Sequence, residues 1–396
     1  MVTVNFTNSG GTGGYMAGAS GPRLRFATAP TLSAGILPYA TVHGSHWATV
    51  TADRYLVAYA GYHTGDTSTW AAAHNVSLSA DRAGSGSLSI NSLRFDGGWT
   101  LDLQNTSTTL TLASGGVIAA SGLSSLKSGR LTTDADNLYF HIADGQLNIS
   151  AEIFGSAGLV KSGASILGFL GSEANTFTGT TVINDGILAL AKLAGVDAIA
   201  GDVVVGDFGH RATLLLVNSH QIADTATVTL RGVRHTHPIL ANRFREGVLQ
   251  FNNGNASPGI REVFDRLHID GRGVISFNGG EYGRPNYLIL NHLSFADANS
   301  QLIIRQWVEF EDYLLVRRSG NEGLIPARLP QIIFDGYGPA RWVPYDNDFW
   351  QITATPEPAT YGAILAGLGL GLVAWRKKRR RREAAAACRA PEAGAL

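Results

Sequence analysis

Histidines and carboxylates carry whatever chemistry this chain can support, because its single cysteine, Cys388, stands close to the end. No Gly-x-Ser-x-Gly elbow, His-Glu-x-x-His pair or phosphate-binding loop occurs. His235-Thr236-His237 puts two imidazoles on one side of a strand, a start for a metal site if a third ligand arrives. Without that ligand, solvent-facing histidines before Pro238 are the simpler reading, and His43 with His46 is weaker still. The acidic candidates are Glu309, Glu311 and Asp312, and the pair Asp346 and Asp348. Glu309 and Glu311 on one strand face would stand roughly 6–7 Å apart. Such a pair can bind Ca²⁺ or flank a glycosidic bond, and among aromatics it makes a sugar-binding rim. The favoured reading is plainer: solvated charges that keep a sheet edge from pairing. The expectation is therefore no catalytic residue, no metal and no cofactor.

Strands must position these residues. From about Asn75, short segments alternate apolar and polar between Gly, Asp, Asn and Ser, as in Leu88–Phe95 and Thr109-Leu-Thr-Leu112. No stretch before residue 355 sustains a helical period, so the chain reads as all-β. A unit made of an acidic residue, Gly, any residue and an alternating apolar pair appears three times. The copies are Asp144-Gly-Gln-Leu-Asn-Ile149, Asp185-Gly-Ile-Leu-Ala-Leu190 and Glu246-Gly-Val-Leu-Gln-Phe251. The glycine supplies a turn and the apolar pair one interior. Spacings of 41 and 61 residues are near multiples of about 20, the coil size of a β-solenoid. Phe334, Tyr337, Trp342, Tyr345, Phe349 and Trp350 are dense enough to form a cap, which an open solenoid end requires.

The last part of the chain differs in kind. Pro356-Glu357-Pro358 is stiff and extended. Residues 359–375 carry no charge and are just long enough to cross a bilayer core as a helix, with Tyr361 and Trp375 as interfacial aromatics. Arg376, Lys377, Lys378, Arg379, Arg380, Arg381 and Arg382 follow, holding that end in the cytoplasm and the body outside it. A buried helix with a basic nucleic-acid tail is the alternative, but four glycines would weaken a soluble helix by about 1 kcal/mol each. Net charge agrees. The whole chain has 31 basic and 31 acidic residues, of which eight and three lie beyond Thr355, leaving a body of 23 and 28. An acidic body has no general attraction for nucleic acid.

Pro-Glu-Pro, apolar helix and arginine cluster, in that order, resemble the PEP-CTERM sorting signal of Gram-negative bacteria. The resemblance implies exosortase as partner, a membrane transpeptidase that cuts near Pro-Glu-Pro and releases or transfers the body. It also implies a precursor in the inner membrane, a final place at the cell surface or in the extracellular matrix, and an association with exopolysaccharide. The tail from Glu383 to Leu396 is longer than usual for that signal. Separately, Gly158-Leu-Val-Lys161 and Asn175-Thr-Phe-Thr-Gly179, leading to Asp185-Gly-Ile-Leu188, resemble the autotransporter-associated β-strand repeat. Phe177, Ile183 and Ser165 are mild departures from it. That resemblance implies a right-handed parallel β-helix, a fold that also hosts polysaccharide lyases and hydrolases. Export needs a signal peptide, and Met1 to Gly11 has neither basic nor apolar region, so the true start is expected upstream.

The expected organisation is an irregular β region at 1–75 and a parallel β-helix at 76–309, with the repeat at 157–190. An aromatic β cap at 310–352, the sorting signal at 353–382 and a tail at 383–396 complete it. The expected function is a non-enzymatic surface or matrix protein, with a β-helix polysaccharide lyase or hydrolase as the alternative. An autotransporter passenger is disfavoured, since a single helix follows where a membrane barrel should.

Overall fold

The computed structural model describes residues 3–7, 24–84, 86–233, 245–252, 259–278, 284–321 and 324–355. They are all-β, with 3% helix, and most of them build a parallel β-solenoid of about eight turns. Two parallel sheets face each other across one core. In the first, Leu93, Val117, Phe140, Lys161, Ile183, Val205, Leu230 and Ile269 lie in consecutive register on successive rungs. In the second, Leu147, Leu167, Leu188, Leu214, Leu249, Ile275, Ile304 and Phe334 do the same. The Leu and Ile in these ladders are fully or almost fully buried. Each such side chain contributes roughly 1.5–3 kcal/mol of burial. Period-2 alternation places them inward, and the like-on-like register stacks them.

The acidic-Gly repeats obey this register, with one correction to their spacing. Leu147 and Leu188 are two rungs apart, through Leu167, and Leu188 and Leu249 are also two rungs apart, through Leu214. The longer spacing of 61 is therefore two coils rather than three, of 26 and 35 residues. Gly145 has φ +76 and a Cβ there would sit 2.0 Å from the Gly122 carbonyl oxygen, so the corner admits no side chain. Glu246-Gly247 departs from the pattern. Its glycine is not left-handed but approaches the Val205 carbonyl, and its glutamate is buried in an ion-pair cluster.

Residues 157–190 form four strands of this solenoid, Gly158–Ser162, Ile166–Gly171, Thr181–Ile183 and Gly186–Lys192. Phe177 fills the core between them, while Asn175 accepts from the Ile153 amide at 3.0 Å and donates to the Ala198 carbonyl at 2.8 Å.

Both ends are closed. Trp70 packs on the first rungs, and its indole N–H donates to the Gly65 carbonyl at 3.0 Å. At the other end the last parallel strands, Asp312–Arg317 and Ile332–Phe334, lie within the 310–352 stretch. The hairpin of Ala340–Pro344 and Phe349–Ala354 then pairs antiparallel to Asp312–Arg317 and terminates that sheet. A separate four-stranded sheet, Val4–Phe6, Leu37–Val42, His46–Val50 and Leu56–Ala58, lies against the outer side of the solenoid. Trp47 anchors it. The ring packs in a buried cluster with Ile36 and Ile118 and meets His141 edge-on at 5.4 Å.

Among the described residues no helix is long and apolar enough to cross a membrane. Pro356, Glu357, Pro358, the expected helix at 359–375, the basic cluster at 376–382, His235 and His237 all lie outside the described residues.

Candidate functional site

A polar-lined groove runs where the N-terminal sheet overhangs the solenoid and encloses about 370 Å³. Its floor is built from successive rungs. His141 and Ser162 are register partners on the outer face of the first sheet, and Asn184 follows Ile183, the partner of Lys161, one rung on. Asp185 and Asp207 occupy the corners beside them. The roof is the strand Val4–Phe6 and the hairpin tip at His43 and Gly44. Asn5 fixes that tip by accepting from the Gly44 amide at 2.7 Å and the Thr41 hydroxyl at 3.1 Å. Both tip residues are left-handed, with φ +54 and +69, and a Cβ on Gly44 would come within 3.2 Å of the Ala143 Cβ.

At the floor, Ser162 Oγ and His141 Nδ1 are 2.5 Å apart, while His141 Nε2 reaches the Pro38 carbonyl at 3.3 Å. Burial, with the nearby Lys161, pushes the imidazole down to about 4, so it is neutral at pH 7. Facing a carbonyl, Nε2 must carry the proton, and Nδ1 accepts from the serine hydroxyl. The pair has the connectivity of a nucleophile and its base. As a base it is poor, because proton abstraction at neutral pH calls for a pKa near 7 and an orienting carboxylate supports the cation better than a carbonyl does. Its evident work is to hold Pro38 of the overlying sheet.

Behind the floor, the Lys161 ammonium lies in an otherwise apolar ladder. Nζ donates to the Gly163 carbonyl and, at 2.7 Å, to the Asp185 carbonyl. Burial lowers it to about 7, opposed by Asp185. Asp185 and Asp207 are committed in part to their own turns. Asp185 accepts from the Gly186 amide at 2.7 Å, and Asp207 accepts from the Gly209 and His210 amides at 2.6 and 2.9 Å. Asn184 is different. It is 4% exposed, its Nδ2 donates to Thr3 Oγ1 at 3.1 Å, and its Oδ1 has no hydrogen-bond partner.

The carboxylates singled out in the sequence do not converge. Glu309 and Glu311 do not share a strand face, because both lie in the turn before Asp312–Arg317. Glu309 braces the cap through Thr353 Oγ1 at 3.2 Å and Arg341 at 3.9 Å. Asp312 is fully buried, accepts from Asn286 Nδ2 and the Val308 amide, and is pushed up to about 7 by burial. Asp346 caps its own turn at the Asp348 and Phe349 amides, leaving Asp348 a backbone role toward the Arg318 amide. The nearby tyrosines form a ladder rather than a sugar platform. Tyr287 stacks on Tyr313 at 4.7 Å and 10°, Tyr345 meets Tyr313 edge-on, and Arg261 lies 5.8 Å from the Tyr287 ring centre. Their faces are used on one another. His43 reaches the groove, whereas His46 is lowered by burial and by Arg94 beneath the N-terminal sheet. Among the described residues no three His, Cys, Asp or Glu side chains gather as a metal site.

No curated protein and no solved structure matches the chain. Residues 354–381 match the family described as the PEP-CTERM protein-sorting motif, so the chain carries a signal for export and exosortase-dependent sorting on a β-solenoid body.

Proposed function

We propose that this is a non-enzymatic structural protein of the cell surface or extracellular matrix, associated with exopolysaccharide. In this reading residues 359–375 hold the precursor in the inner membrane, with Arg376 to Arg382 on the cytoplasmic side, until exosortase cuts near Pro356–Pro358. Residues 157–190 act as an autotransporter-associated repeat at the middle of a right-handed coil. The observation that carries the proposal is the junction. The capping strand Phe349–Ala354 ends at the first residue of the matched sorting motif, two residues before Pro356, and Ile352 and Ala354 are fully buried. Cleavage beyond Thr355 therefore leaves the core of the described residues whole. Mass spectrometry of envelope and medium fractions tests it: a mature terminus near 356–358 is expected. An intact C-terminus confined to the inner membrane would reduce the motif to a plain anchor and remove the surface assignment.

The second reading, a polysaccharide lyase or hydrolase, has one observation on its side: Asp185 and Asp207 line the same groove. Incubation with exopolysaccharide and assay for new reducing ends or unsaturated products decides it. Product formation that survives loss of both carboxylates would count against this groove as the source.

A further inference from the structure

We infer that the C-terminal end of the solenoid is a lipid-facing surface, resting on the headgroups of the non-cytoplasmic leaflet while the chain is anchored. The inference rests on the anchor proposed above and adds a contact made by the body itself.

Of nine large apolar side chains exposed among the described residues, four belong to this end: Phe310, Ile333, Tyr337 and Tyr345. Ile333 and Tyr337 also line an apolar groove of about 500 Å³ with Leu329, Phe334 and Pro339, and no charged residue lines it. The Tyr337 hydroxyl donates to the Trp307 carbonyl at 2.7 Å, which fixes its ring at the rim. Phe310 is the extreme case. It is 80% exposed and left-handed, with φ +71, a conformation that a bulky side chain adopts only at a cost. The Tyr313 hydroxyl holds that turn by donating to the Phe310 carbonyl at 3.0 Å. A ring kept in a strained position and left so exposed adds little to the body's own core.

The patch surrounds the point where the described chain ends. The Thr355 amide donates to the carbonyl of Pro339 in the groove wall at 2.8 Å. Thr353 Oγ1 donates at 3.2 Å to Glu309, the neighbour of Phe310. From Thr355 to Ala359, where the uncharged run begins, the chain reaches at most about 14 Å fully extended. The polar layer outside the hydrocarbon is about 5–7 Å deep on each side. With residues 359–375 across the bilayer, this end therefore stands at the headgroups, where exposed Tyr and Phe side chains are favoured. Charges at the rim are mixed: Asp335 faces Arg305 at 3.8 Å and Arg341 faces Glu309 at 3.9 Å. The contact is accordingly apolar and indifferent to lipid charge.

The test uses full-length protein with Cys388→Ser and Asp335→Cys, which puts a fluorophore beside the patch and keeps all four apolar side chains. The protein is reconstituted in phosphatidylcholine vesicles, with and without phosphatidylglycerol, that carry a nitroxide quencher at headgroup depth. A second label, at Leu193→Cys in the middle of the solenoid, is the control. A Gly/Ser spacer of about ten residues after Thr355 frees the body to leave the surface. Quenching is expected at 335 and not at 193, unchanged by phosphatidylglycerol and retained with the spacer. Phe310→Asn suits the left-handed position and is expected to lower quenching of the spacer protein without lowering its melting temperature. Equal quenching at both labels, or its loss with the spacer, would show proximity imposed by the tether alone and overturn the surface. Quenching unchanged in Phe310→Asn, or seen only with phosphatidylglycerol, would overturn the apolar contact. Disulfide crosslinks between 335 positions in place of quenching would assign this end to a second copy of the chain. Protein that fails to float with the vesicles would remove the anchor and this inference together, whereas flotation without quenching removes this inference alone.

Discussion

The two halves of the solenoid close their corners with opposite chemistry. Around residues 137–192, buried cations donate to backbone carbonyls. Lys161 binds those of Gly163 and Asp185, and Lys192 those of Leu170 and Glu173 at 3.1 and 2.6 Å. Around residues 246–317, buried carboxylates accept instead. Glu262 takes the Gln221 and Ile222 amides, Asp312 takes the Val308 amide, and Glu246 gathers Arg272 and Arg305. Coil length changes in parallel. Rungs are offset by 21 and 22 residues from Leu138 through Leu159 to Thr181, but by 26 from Ile269 to Phe295 and from Leu290 to Val316. Every turn leaves some backbone groups without a ladder partner. One half leaves oxygens to be capped and the other leaves N–H groups, and the side chains follow.

The contrast is broken most directly at Glu246. The carboxylate is fully buried and bridges two arginines that are about three-quarters buried. Glu246→Ala removes the buried carboxylate that both arginines share and is expected to cost about 3 kcal/mol, read as a lower denaturant midpoint with exchange protection lost first across 247–305. A midpoint unchanged within error would show the cluster to be solvated.

Titration should pull the halves apart. His141 is pushed down from 6.5 to about 4 and Lys161 from 10.5 to about 7. Stability from His141 is whole above 6.5 and is lost as pH falls toward 4, that from Lys161 as pH falls from 10.5 to 7. Glu262 is pushed up from 4.5 to about 8 and Asp312 from 3.8 to about 7, both by burial. Their contribution is whole below the unfolded values and is lost as pH rises through the folded ones. Between pH 6.5 and 4, amides of 137–162 should lose about 3 kcal/mol of protection, from the His141 shift. Those of 261–317 should gain over the same range. Native-state hydrogen exchange corrected for intrinsic rates checks this, and parallel changes in both halves would refute it.

Smaller perturbations sharpen the contrast. Gly145→Ala forces a side chain into a left-handed corner against the Gly122 carbonyl and should cost about 1–3 kcal/mol, confined to the first half. Tyr313→Leu removes the stack with Tyr287 and should cost about 0.5–1.5 kcal/mol, visible as a small fall in melting temperature.

Much of this fold was legible before any coordinates. Alternation in Leu147 and Ile149, and in Leu188 and Leu190, marked inward positions, and Asp144-Gly145 marked a corner. The aromatic crowd at 334–350 falls on the last parallel rung, at Phe334, and on the antiparallel hairpin after it, with Tyr337 and Tyr345 exposed. The third acidic-Gly copy misled, because its coil runs 35 residues and its glutamate serves an ion cluster. The site was not legible. His141, Ser162 and Asn184 are 21 and 22 residues apart, and only the coil register brings them together. Glu309 and Glu311 invited a site because they are adjacent in sequence, but a turn there breaks the shared face.

The junction at Thr355 also has a mechanical consequence. Strands lie across the solenoid axis, so ladder hydrogen bonds point along it. If the residues beyond Thr355 anchor the body as proposed, a pull along that axis stretches the bonds between Phe349–Ala354 and Asp312–Arg317 one after another from the Ala354 end, in peeling rather than in shear. In that proposed precursor the body would fail first at its lid, under loads that a strand sheared along its length would resist. In the same reading, cutting at the sorting motif would remove the load and leave the lid in place.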